Sequence, residues 1–270
     1  MEEKKEINQT GNNNENNKDF VFKEKPVYDF FKRFFDIALS FIFLLLFGWL
    51  MLLLALIKYF EDFGGKSYKL VIKEDKKGRY VSKTTGKRYK IYCHKDPHGE
   101  KDTTMYGAFY SSRRMGKNGK IHHFHKIRTM CPGAEKMKAQ LIEMGFNEAD
   151  APAFKMTNDP RITPIGRFLR ATSLDELPQI WDIFLGRFSI VGPRPPLPEE
   201  VKTYNEYQMH RLDVNGGLIC FWQITKNRND LSFDEWVDLD IEYIKNRSLW
   251  LDFKIILKAA WFVLTDHSGK

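Results

Sequence analysis

The feature that most constrains this chain is an apolar run over residues 37–57, which is 21 residues long and holds no charged side chain. Only Ser40 and Gly48 interrupt its large and small apolar side chains. A helix needs about 20 residues to cross the hydrocarbon core of a membrane. The run therefore predicts one membrane element joined to a polar domain of about 200 residues. That organisation excludes an ordinary soluble enzyme, a disulfide-stapled secreted module and a polytopic transporter.

The net charge of the chain limits the classes of molecule that it is expected to bind. Lys and Arg number 43 and Asp and Glu number 35, giving a net charge of +8. Such an excess suits anionic lipid headgroups, phosphate-bearing substrates or nucleic acid. We favour the first two and expect no nucleic acid partner, because the chain carries a membrane element and the sequence has no RRM, KH or zinc-finger pattern. The odd count of three widely spaced cysteines indicates a reducing compartment.

The composition changes along the chain and divides it into four parts. Residues 1–27 are polar and are predicted to be a disordered tail. Residues 28–63 hold the membrane helix; basic residues flank both ends of its apolar run, which fits a helix that enters and leaves on one face, with a straight span as the alternative. Residues 64–108 are a basic β-rich insert with strands at 68–73 and 87–92. Residues 109–270 form the fourth part.

Two helices are predicted in this fourth part. Residues 134–144 have helical spacing, with Met137, Leu141 and Met144 on one face. Residues 249–264 are too short and too charged to span a membrane. They are read either as a core helix or as an interfacial helix that places Trp250 and Trp261 among the headgroups.

Histidines at 122, 123 and 125, together with Cys93, Cys131, His94 and His98, raise the question of a zinc site. Their spacing matches no standard set of zinc ligands. Alternating positions on a strand are the favoured reading.

Two adjacent acids stand in a pattern that suggests chemistry. Ser173-Leu-Asp-Glu176 fits a capping box, which predicts that Asp175 and Glu176 lie in the first turn of a helix. Free N–H groups and the helix dipole there favour anions and phosphate. The acids are read either as nucleophile and metal ligand or as cap and dipole partner. Pro178 lies beyond the positions where a missing N–H costs nothing, so an irregular helix start is expected.

Arginines and prolines surround these acids in the sequence. Arg161, Arg167 and Arg170 are read either as ion-paired surface residues or as ligands of a diphosphate. In Gly192-Pro-Arg-Pro-Pro-Leu-Pro198, the ring constraints of proline hold Arg194 on a rigid segment. The segment is read either as a polyproline ligand for an SH3-type partner or, because Ile190 and Val191 precede it, as a loop packed into the protein.

Taken together, these motifs resemble the bacterial sugar transferase family, the monotopic polyprenyl-phosphate phosphoglycosyl transferases. The resemblance covers most of residues 28–65 and 109–265. The matching motifs are Lys32-Arg-x-x-Asp36, Gly116-Lys-Asn-Gly119, Lys126-Ile-Arg-Thr-Met130, Asn158-Asp-Pro-Arg-Ile-Thr163, Ile165-Gly-Arg-Phe-Leu-Arg170, Ser173-Leu-Asp-Glu-Leu-Pro-Gln179, Val191-Gly-Pro-Arg-Pro195, Trp222-Gln223 and Ser248-Leu-Trp-Leu-Asp-Phe-Lys254.

The resemblance implies an α+β fold, with a mostly helical catalytic domain over residues 109–270, short β-strands and an N-terminal re-entrant membrane helix. It implies that Asp175 attacks the β-phosphate of a UDP-sugar, releasing UMP and forming an aspartyl phosphosugar that polyprenyl phosphate then accepts. Glu176 is the implied ligand of Mg²⁺. The reaction opens polysaccharide or glycoconjugate assembly at the bacterial cytoplasmic membrane, with the catalytic domain facing the cytoplasm.

Other residues follow from the same resemblance as a predicted substrate-binding set. Arg170, Arg194 and Arg228 match family arginines expected near phosphates, and Pro193 and Pro195 flank one of them. The implied partners are a UDP-sugar, polyprenyl phosphate and membrane lipid. The identity of the sugar and the oligomeric state, a homo-oligomer included, stay open.

Three departures from the family pattern stand out. The family breaks its membrane helix at a Ser-Pro pair, whereas this chain has Phe47-Gly48-Trp49 and offers Gly48 as the only weak point. The usual Pro-Gly-(Ile/Leu)-Thr-Gly appears as Gly216-Gly-Leu-Ile-Cys220. The insert exceeds the short connection usual at its place. These changes leave a second hypothesis, a catalytically silent membrane-anchored scaffold of the same fold.

Overall fold

The computed structural model describes residues 20–61, 67–96, 107–148, 156–225 and 231–265. Helices and short strands are mixed, in agreement with the predicted α+β class. The helices are α1 (Pro26–Glu61), α2 (Ala134–Glu143), α3 (Pro164–Ala171), α4 (Gln179–Phe184), α5 (Pro198–Val201), α6 (Glu206–Met209), α7 (Phe233–Asn246) and α8 (Leu249–Thr265). The strands are β1 (Ser67–Glu74), β2 (Tyr80–Val81), β3 (Arg88–Asp96), β4 (Phe109–Met115), β5 (Ile121–Ile127), β6 (Ser189–Val191) and β7 (Gly217–Ile219).

The apolar run forms the middle of α1, a helix of 36 residues that is helical through Gly48. In the described part of the chain it is the one helix long and apolar enough to cross a membrane, and only 11% of its most apolar window is buried. Its large side chains, from Phe30 to Phe60, are mostly exposed. A surface of that kind fits lipid and does not fit water.

Both ends of α1 are held by the rest of the protein. Near the N-terminal end, Lys32 donates to Asp252 of α8 at 2.8 Å, and Asp36 accepts the amide of Ile190 at 3.0 Å. At the C-terminal end, Lys58 is buried and donates to Thr163 Oγ1 at 3.2 Å. The polar residues that flank the apolar run therefore bind protein groups.

Residues that precede α1 also pack against the domain. Phe20 and Phe22, which the sequence placed in the polar tail, lie against the largest apolar cluster. Arg247 donates to the carbonyl of Lys23 at 2.6 Å, and its guanidinium lies over the ring of Phe22 at 4.8 Å. Residues 1–19 lie outside the described part.

That largest cluster joins α7, α8 and β6. Its buried members are Val191, Ile224, Val237, Ile241, Tyr243, Ile244 and Ile255. Asp252 lies at its edge and accepts the hydroxyls of Tyr28 and Tyr243, both at 2.8 Å. These two bonds and the Lys32 ion pair satisfy a carboxylate that would be costly to bury alone.

Helix α8 has two apolar faces. Ile255 is buried in the cluster, whereas Trp250, Phe253, Leu257 and Trp261 form an exposed stripe. Spacings of three and four residues place this stripe on one side of the helix. The core-helix reading is therefore confirmed for one face, and the exposed apolar face leaves the interfacial reading as a prediction.

The insert is a three-stranded antiparallel sheet in the order β1-β3-β2. Its strands fall where alternation predicted them, and Ile72 lies opposite Ile91. The sheet packs on α2, where Tyr89 and Ile91 meet Leu141 and Phe146. The insert is therefore built into the domain.

The join between the insert and α2 requires a glycine. Gly145, just past α2, has a φ of +76°, and a Cβ there would lie 2.3 Å from Thr84 Oγ1. Only glycine tolerates both conditions without strain. Residue 145 accordingly fixes where the insert meets the helix.

Two small sheets complete the fold. Strands β4 and β5 pair antiparallel, and β6 and β7 pair parallel. The histidines at 122, 123 and 125 lie on β5, as the strand reading predicted. His125 donates its amide to Asp182 of α4 at 2.9 Å, and its Nδ1 lies 2.8 Å from the same carboxylate. The described residues contain no group of three or more His, Cys, Asp or Glu side chains arranged to hold a metal, and His98 lies outside them.

Candidate active site

Asp175 and Glu176 lie on a short 3₁₀ turn, Leu174–Glu176, between α3 and α4. The predicted capping box is wrong: Ser173 has a φ of +56° and its side chain accepts no capping bond. Pro178 supplies the physical reason. In a helix starting at Leu174, its ring would clash with the Leu174 carbonyl and its missing N–H would leave that carbonyl unpaired. The turn therefore ends, and α4 starts afresh after Pro178.

Asp175 is a buried carboxylate, with 8% of its surface exposed. Burial raises the pKa of its side chain above the ordinary value, and the neighbouring Glu176 acts in the same direction. The positive charges of Lys126 and Arg170 oppose that rise in pKa. A poorly hydrated carboxylate beside two cations is suited to nucleophilic attack, since it has little water to shed.

Glu176 is half-buried beside it and forms an ion pair with Lys126 of β5, Nζ to Oε1, at 2.6 Å. Mg²⁺ binds oxygen ligands and usually takes only one or two protein carboxylates, with water and substrate phosphates completing its shell. A half-exposed carboxylate next to a nucleophile fits that pattern. Glu176 is therefore a chemically adequate protein ligand for the ion.

Arg170 occupies the last turn of α3. Its Nε donates to Thr129 Oγ1, two residues past the end of β5, at 2.8 Å, and this bond orients the guanidinium. Its charge acts on Asp175. No described acid forms an ion pair with Arg170, so its charge acts on Asp175 from beyond ion-pair distance.

The segment with the prolines is a packed loop, as the alternative to an SH3 ligand predicted. Pro193 and Pro195 are buried, whereas the Arg194 side chain is exposed. The carbonyl of Pro193 accepts from Gly217 at 2.8 Å, and that of Arg194 accepts from Arg211 at 3.3 Å. The buried prolines therefore fix the backbone that presents Arg194.

Arg211 is itself anchored in the core. It forms a buried ion pair with Asp240 of α7 at 2.8 Å and donates to the Tyr204 hydroxyl at 2.6 Å. Burial raises the pKa of Asp240 to about 6, against the opposing charges of Arg211 and Arg194. The pair with Asp240 holds Arg211 in place, and Arg211 in turn binds the carbonyl of Arg194 in the loop.

The substituted segment 216–220 is the other support of the loop. A Cβ on Gly217 would lie 2.1 Å from the amide nitrogen of Gly192, so the two backbones touch without room for a side chain. Cys220, which stands where the family usually has glycine, is buried. Burial raises the pKa of its thiol, so the group is neutral. The segment 216–220 departs from the family pattern, but it keeps the close contact between the backbones of Gly217 and Gly192.

Two cations of the site were missed by the sequence reasoning. Lys126 pairs with Glu176, and Arg114 of β4 donates to the carbonyl of Pro195 at 3.1 Å. Burial and the nearby charge of Arg194 lower the pKa of Arg114, while Glu176 acts against that shift. Lys126 opens one of the family motifs, which was a usable signal; nothing in the sequence singled out Arg114. Arg228 lies outside the described residues.

The family profile described as "Bacterial sugar transferase" matches residues 101–266. This chain belongs to the bacterial sugar transferase family. The match takes in β4, β5 and every element from α2 to α8. Within this sugar transferase, the acidic pair and the arginines thus lie in the segment that defines the family.

Named relatives agree with that assignment. The chain is 43% identical over 163 residues to "Galactosyl transferase CpsE" of Streptococcus agalactiae serotype III, covering 60% of this chain and 36% of that protein. It is 39% identical over 162 residues to "Undecaprenyl-phosphate galactose phosphotransferase" of Salmonella typhimurium, covering 58% of this chain and 33% of that protein. The chain thus spans about a third of the length of these two relatives.

A third relative is closer to this sugar transferase in length. "Exopolysaccharide production protein ExoY" of Rhizobium meliloti is 38% identical over 154 residues, covering 56% of this chain and 67% of that protein. The names of all three relatives concern sugar transfer or polysaccharide production.

Proposed function

We propose that this protein transfers a phosphosugar from a UDP-sugar to polyprenyl phosphate through an aspartyl phosphosugar, as the first membrane step of polysaccharide or glycoconjugate assembly. The observation that carries the proposal is the buried Asp175 carboxylate beside Glu176, Lys126 and Arg170. Relatives named as an undecaprenyl-phosphate galactose phosphotransferase and a UDP-galactose-lipid carrier transferase support the reaction class.

In the first step, a carboxylate oxygen of Asp175 attacks the β-phosphorus of the donor. The bond from that phosphorus to the bridging oxygen breaks, and UMP leaves with the electron pair. In the second step, a phosphate oxygen of the polyprenyl carrier attacks the same phosphorus. The bond to Asp175 breaks, which restores the carboxylate and leaves a sugar on a lipid-linked diphosphate. A covalent intermediate divides one hard displacement into two easier ones.

The remaining site residues would act through charge and position. Phosphoryl transfer depends chiefly on holding the reactants in line and neutralising the equatorial oxygens. Arg170 and Arg194 would bind phosphate oxygens, and Lys126 would move from Glu176 to the substrate. Mg²⁺ held by Glu176 would neutralise further charge on the diphosphate.

The placement of α1 supports a monotopic arrangement at the bacterial cytoplasmic membrane. Asp36 and Lys58 are 22 residues apart in the sequence, which is about 33 Å of straight helix, and the same polar domain binds both. The hydrocarbon core is about 30 Å thick. A straight crossing would put part of that domain on each side, so we propose that α1 enters and leaves on the cytoplasmic face.

UMP release tests the reaction. Purified full-length protein, polyprenyl phosphate and a panel of UDP-sugars should give UMP with at least one donor, and Asp175→Asn should reduce that release to background. Glu176→Gln should shift the Mg²⁺ titration of the rate. Release that persists in Asp175→Asn would remove Asp175 as the nucleophile, and no release from any donor would favour the silent scaffold.

Cysteine labelling tests the topology separately. Single cysteines at residue 15 in the tail and at Lys87 in the insert should both react only after the membrane is made permeable to a bulky maleimide. Labelling of the tail from outside would contradict the monotopic arrangement.

A further inference from the structure

A large cavity lies between the insert and the segment that leads into α3. Its volume is about 1300 Å³. Tyr68, Arg79, Tyr80 and Tyr92 line it from the insert, and Arg167 and Arg170 line it from α3. The first wall therefore belongs to the segment that exceeds the connection usual in the family.

The insert wall is held in a fixed position. The Tyr80 hydroxyl donates to the carbonyl of Asn158 at 2.7 Å, which joins the two walls at one edge of the cavity. Ser82 donates to the carbonyl of Met144 at 2.7 Å, and Tyr89 packs on Phe146. A preformed wall needs little ordering when a ligand binds, which favours affinity.

The charge inside the cavity is positive. Among the described residues, no acidic side chain lies within ion-pair distance of Arg79, Arg167 or Arg170. The acids of the lining are already engaged: Asp159 forms a buried ion pair with Arg161 at 2.6 Å, and Glu61 pairs with Lys58. Such a surface suits an anionic ligand.

Aromatic rings and guanidinium groups meet around Tyr80. Arg79 and Arg167 line the same cavity as Tyr80, and the charges of both act on its hydroxyl. An aromatic face next to arginines is a common arrangement for a nucleotide, in which the base stacks and the phosphate accepts hydrogen bonds. The cavity also reaches Arg170, whose charge acts on Asp175.

We propose that this cavity binds the nucleotide half of the UDP-sugar, with the uracil against the tyrosines of the insert and the α-phosphate between Arg79 and Arg167. The proposal rests on the function proposed above. It makes the insert a part of the donor site, and it assigns Arg79 and Tyr80 to binding of the donor and of the UMP product.

The chemistry of the ligand favours the nucleotide half over its two rivals. A neutral sugar offers no charge to Arg79 and Arg167, whereas the nucleotide half carries the α-phosphate and leaves as an anion. The lipid acceptor has a polyprenyl tail, which stays in the membrane and offers no ring to stack on the tyrosines of the insert.

UMP binding to the purified full-length protein tests the proposal without any need for turnover. Arg79→Gln and Tyr80→Ala should each weaken the binding of UMP by about tenfold, because the first removes a charged hydrogen bond and the second removes a stacked ring. Tyr80→Phe keeps the ring and loses only the hydrogen bond to Asn158, so it should recover most of the affinity that Tyr80→Ala loses. Lys87→Gln is the matched control, because that exposed cation of the same sheet pairs with Glu74 at 2.8 Å and does not line the cavity.

Steady-state kinetics supply the second readout. Both cavity variants should raise the KM for every accepted UDP-sugar by a similar factor and leave the KM for polyprenyl phosphate unchanged. An unchanged UMP affinity in Arg79→Gln would overturn the proposal. Because Arg79 is exposed, this variant should fold and can be measured even if Tyr80→Ala does not fold. A KM change confined to one sugar, or to the lipid acceptor, would overturn it as well. UMP release that persists in Asp175→Asn would instead overturn the proposed reaction and leave the binding result standing.

Discussion

Lys126 and Glu176 form an ion pair of 2.6 Å across the candidate active site, although 50 residues separate them in the sequence. The pair joins β5 to the 3₁₀ turn that carries Asp175. Both side chains are about one-third exposed, so a diphosphate or a metal ion can displace one from the other. Lys126 therefore acts on two carboxylates, since it forms an ion pair with Glu176 and its charge lowers the pKa of Asp175.

Replacing Lys126 with Gln should move the acid limb of the pH–rate profile to higher pH. The positive charge of Lys126 lowers the pKa of Asp175, and its removal leaves burial less opposed. Since the nucleophile must be ionised, more of the enzyme is then inactive at a given acidic pH. Lys120→Gln, an exposed cation just before β5, is the control. An acid limb that stays in place would show that Lys126 does not tune Asp175.

Asp175→Asn should make the protein more stable at neutral pH. Burial raises the pKa of Asp175 in the folded state, so folded protein holds this proton more tightly than unfolded protein. Stability is then greatest below the unfolded pKa, about 3.9, and falls as pH rises through the folded pKa. The Asp175→Asn variant has no ionisable group at this position, so its stability does not fall over that pH range. Thermal unfolding should therefore show a higher Tm for Asp175→Asn at pH 7 and a smaller gain near pH 4.

The exposed Glu199 provides the comparison for that experiment. Glu199→Gln removes one carboxylate from the surface of α5 and should leave the Tm unchanged at both pH values. A Tm of Asp175→Asn at or below that of the wild type at pH 7 would contradict the account of a desolvated nucleophile.

Arg33 connects the membrane helix to the helix that follows the acidic pair. Its Nη1 and Nη2 donate to the carbonyls of Ile183 and Phe184 at 2.7 and 2.8 Å, at the C-terminal end of α4. Arg33→Gln should lower the free energy of unfolding by about 1–3 kcal/mol, the usual value of charged hydrogen bonds. Arg33→Lys keeps the charge but not the fork, so it should recover only part of that loss. Denaturant titration in detergent that shows equal stability for all three proteins would contradict this role.

The exposed stripe of α8 should lie at the lipid interface. Trp250 and Trp261 are 63% and 66% exposed. Exposing so much of a large aromatic ring to water is unfavourable, whereas the membrane interface accommodates it. In nanodiscs with brominated lipid, Trp261→Phe should therefore reduce the fraction of fluorescence that is quenched. Trp236→Phe is the control, because Trp236 stacks on Trp222 within the domain. An unchanged quenched fraction in Trp261→Phe would place α8 away from the lipid.

Local patterns predicted the elements of this fold well. Alternation located β1 and β3, and the spacing of Met137, Leu141 and Met144 located α2. These features follow from contacts between near neighbours. The packing of the insert on α2 depends on Gly145, which lies in close contact with Thr84. No sequence pattern predicts that contact.

The site was less visible in the sequence. The acids were identified, but their turn was misassigned because a pattern of capping residues does not reveal the positive φ of Ser173. Arg114 and Lys126 reach the site across strand pairing, so their role depends on the register of β4 and β5. Asp36 and Lys58 looked like flanks of a lipid-facing run, yet the structure buries both against the domain.

The most direct test of the central claim is intact-mass measurement of the full-length protein mixed with its UDP-sugar and Mg²⁺ in the absence of polyprenyl phosphate. The account predicts a gain of one phosphosugar on the wild type, located on Asp175 by peptide mapping and discharged when polyprenyl phosphate is added. Asp175→Asn should show no gain in mass. A phosphosugar found on another residue, or turnover without any adduct on Asp175, would contradict the account.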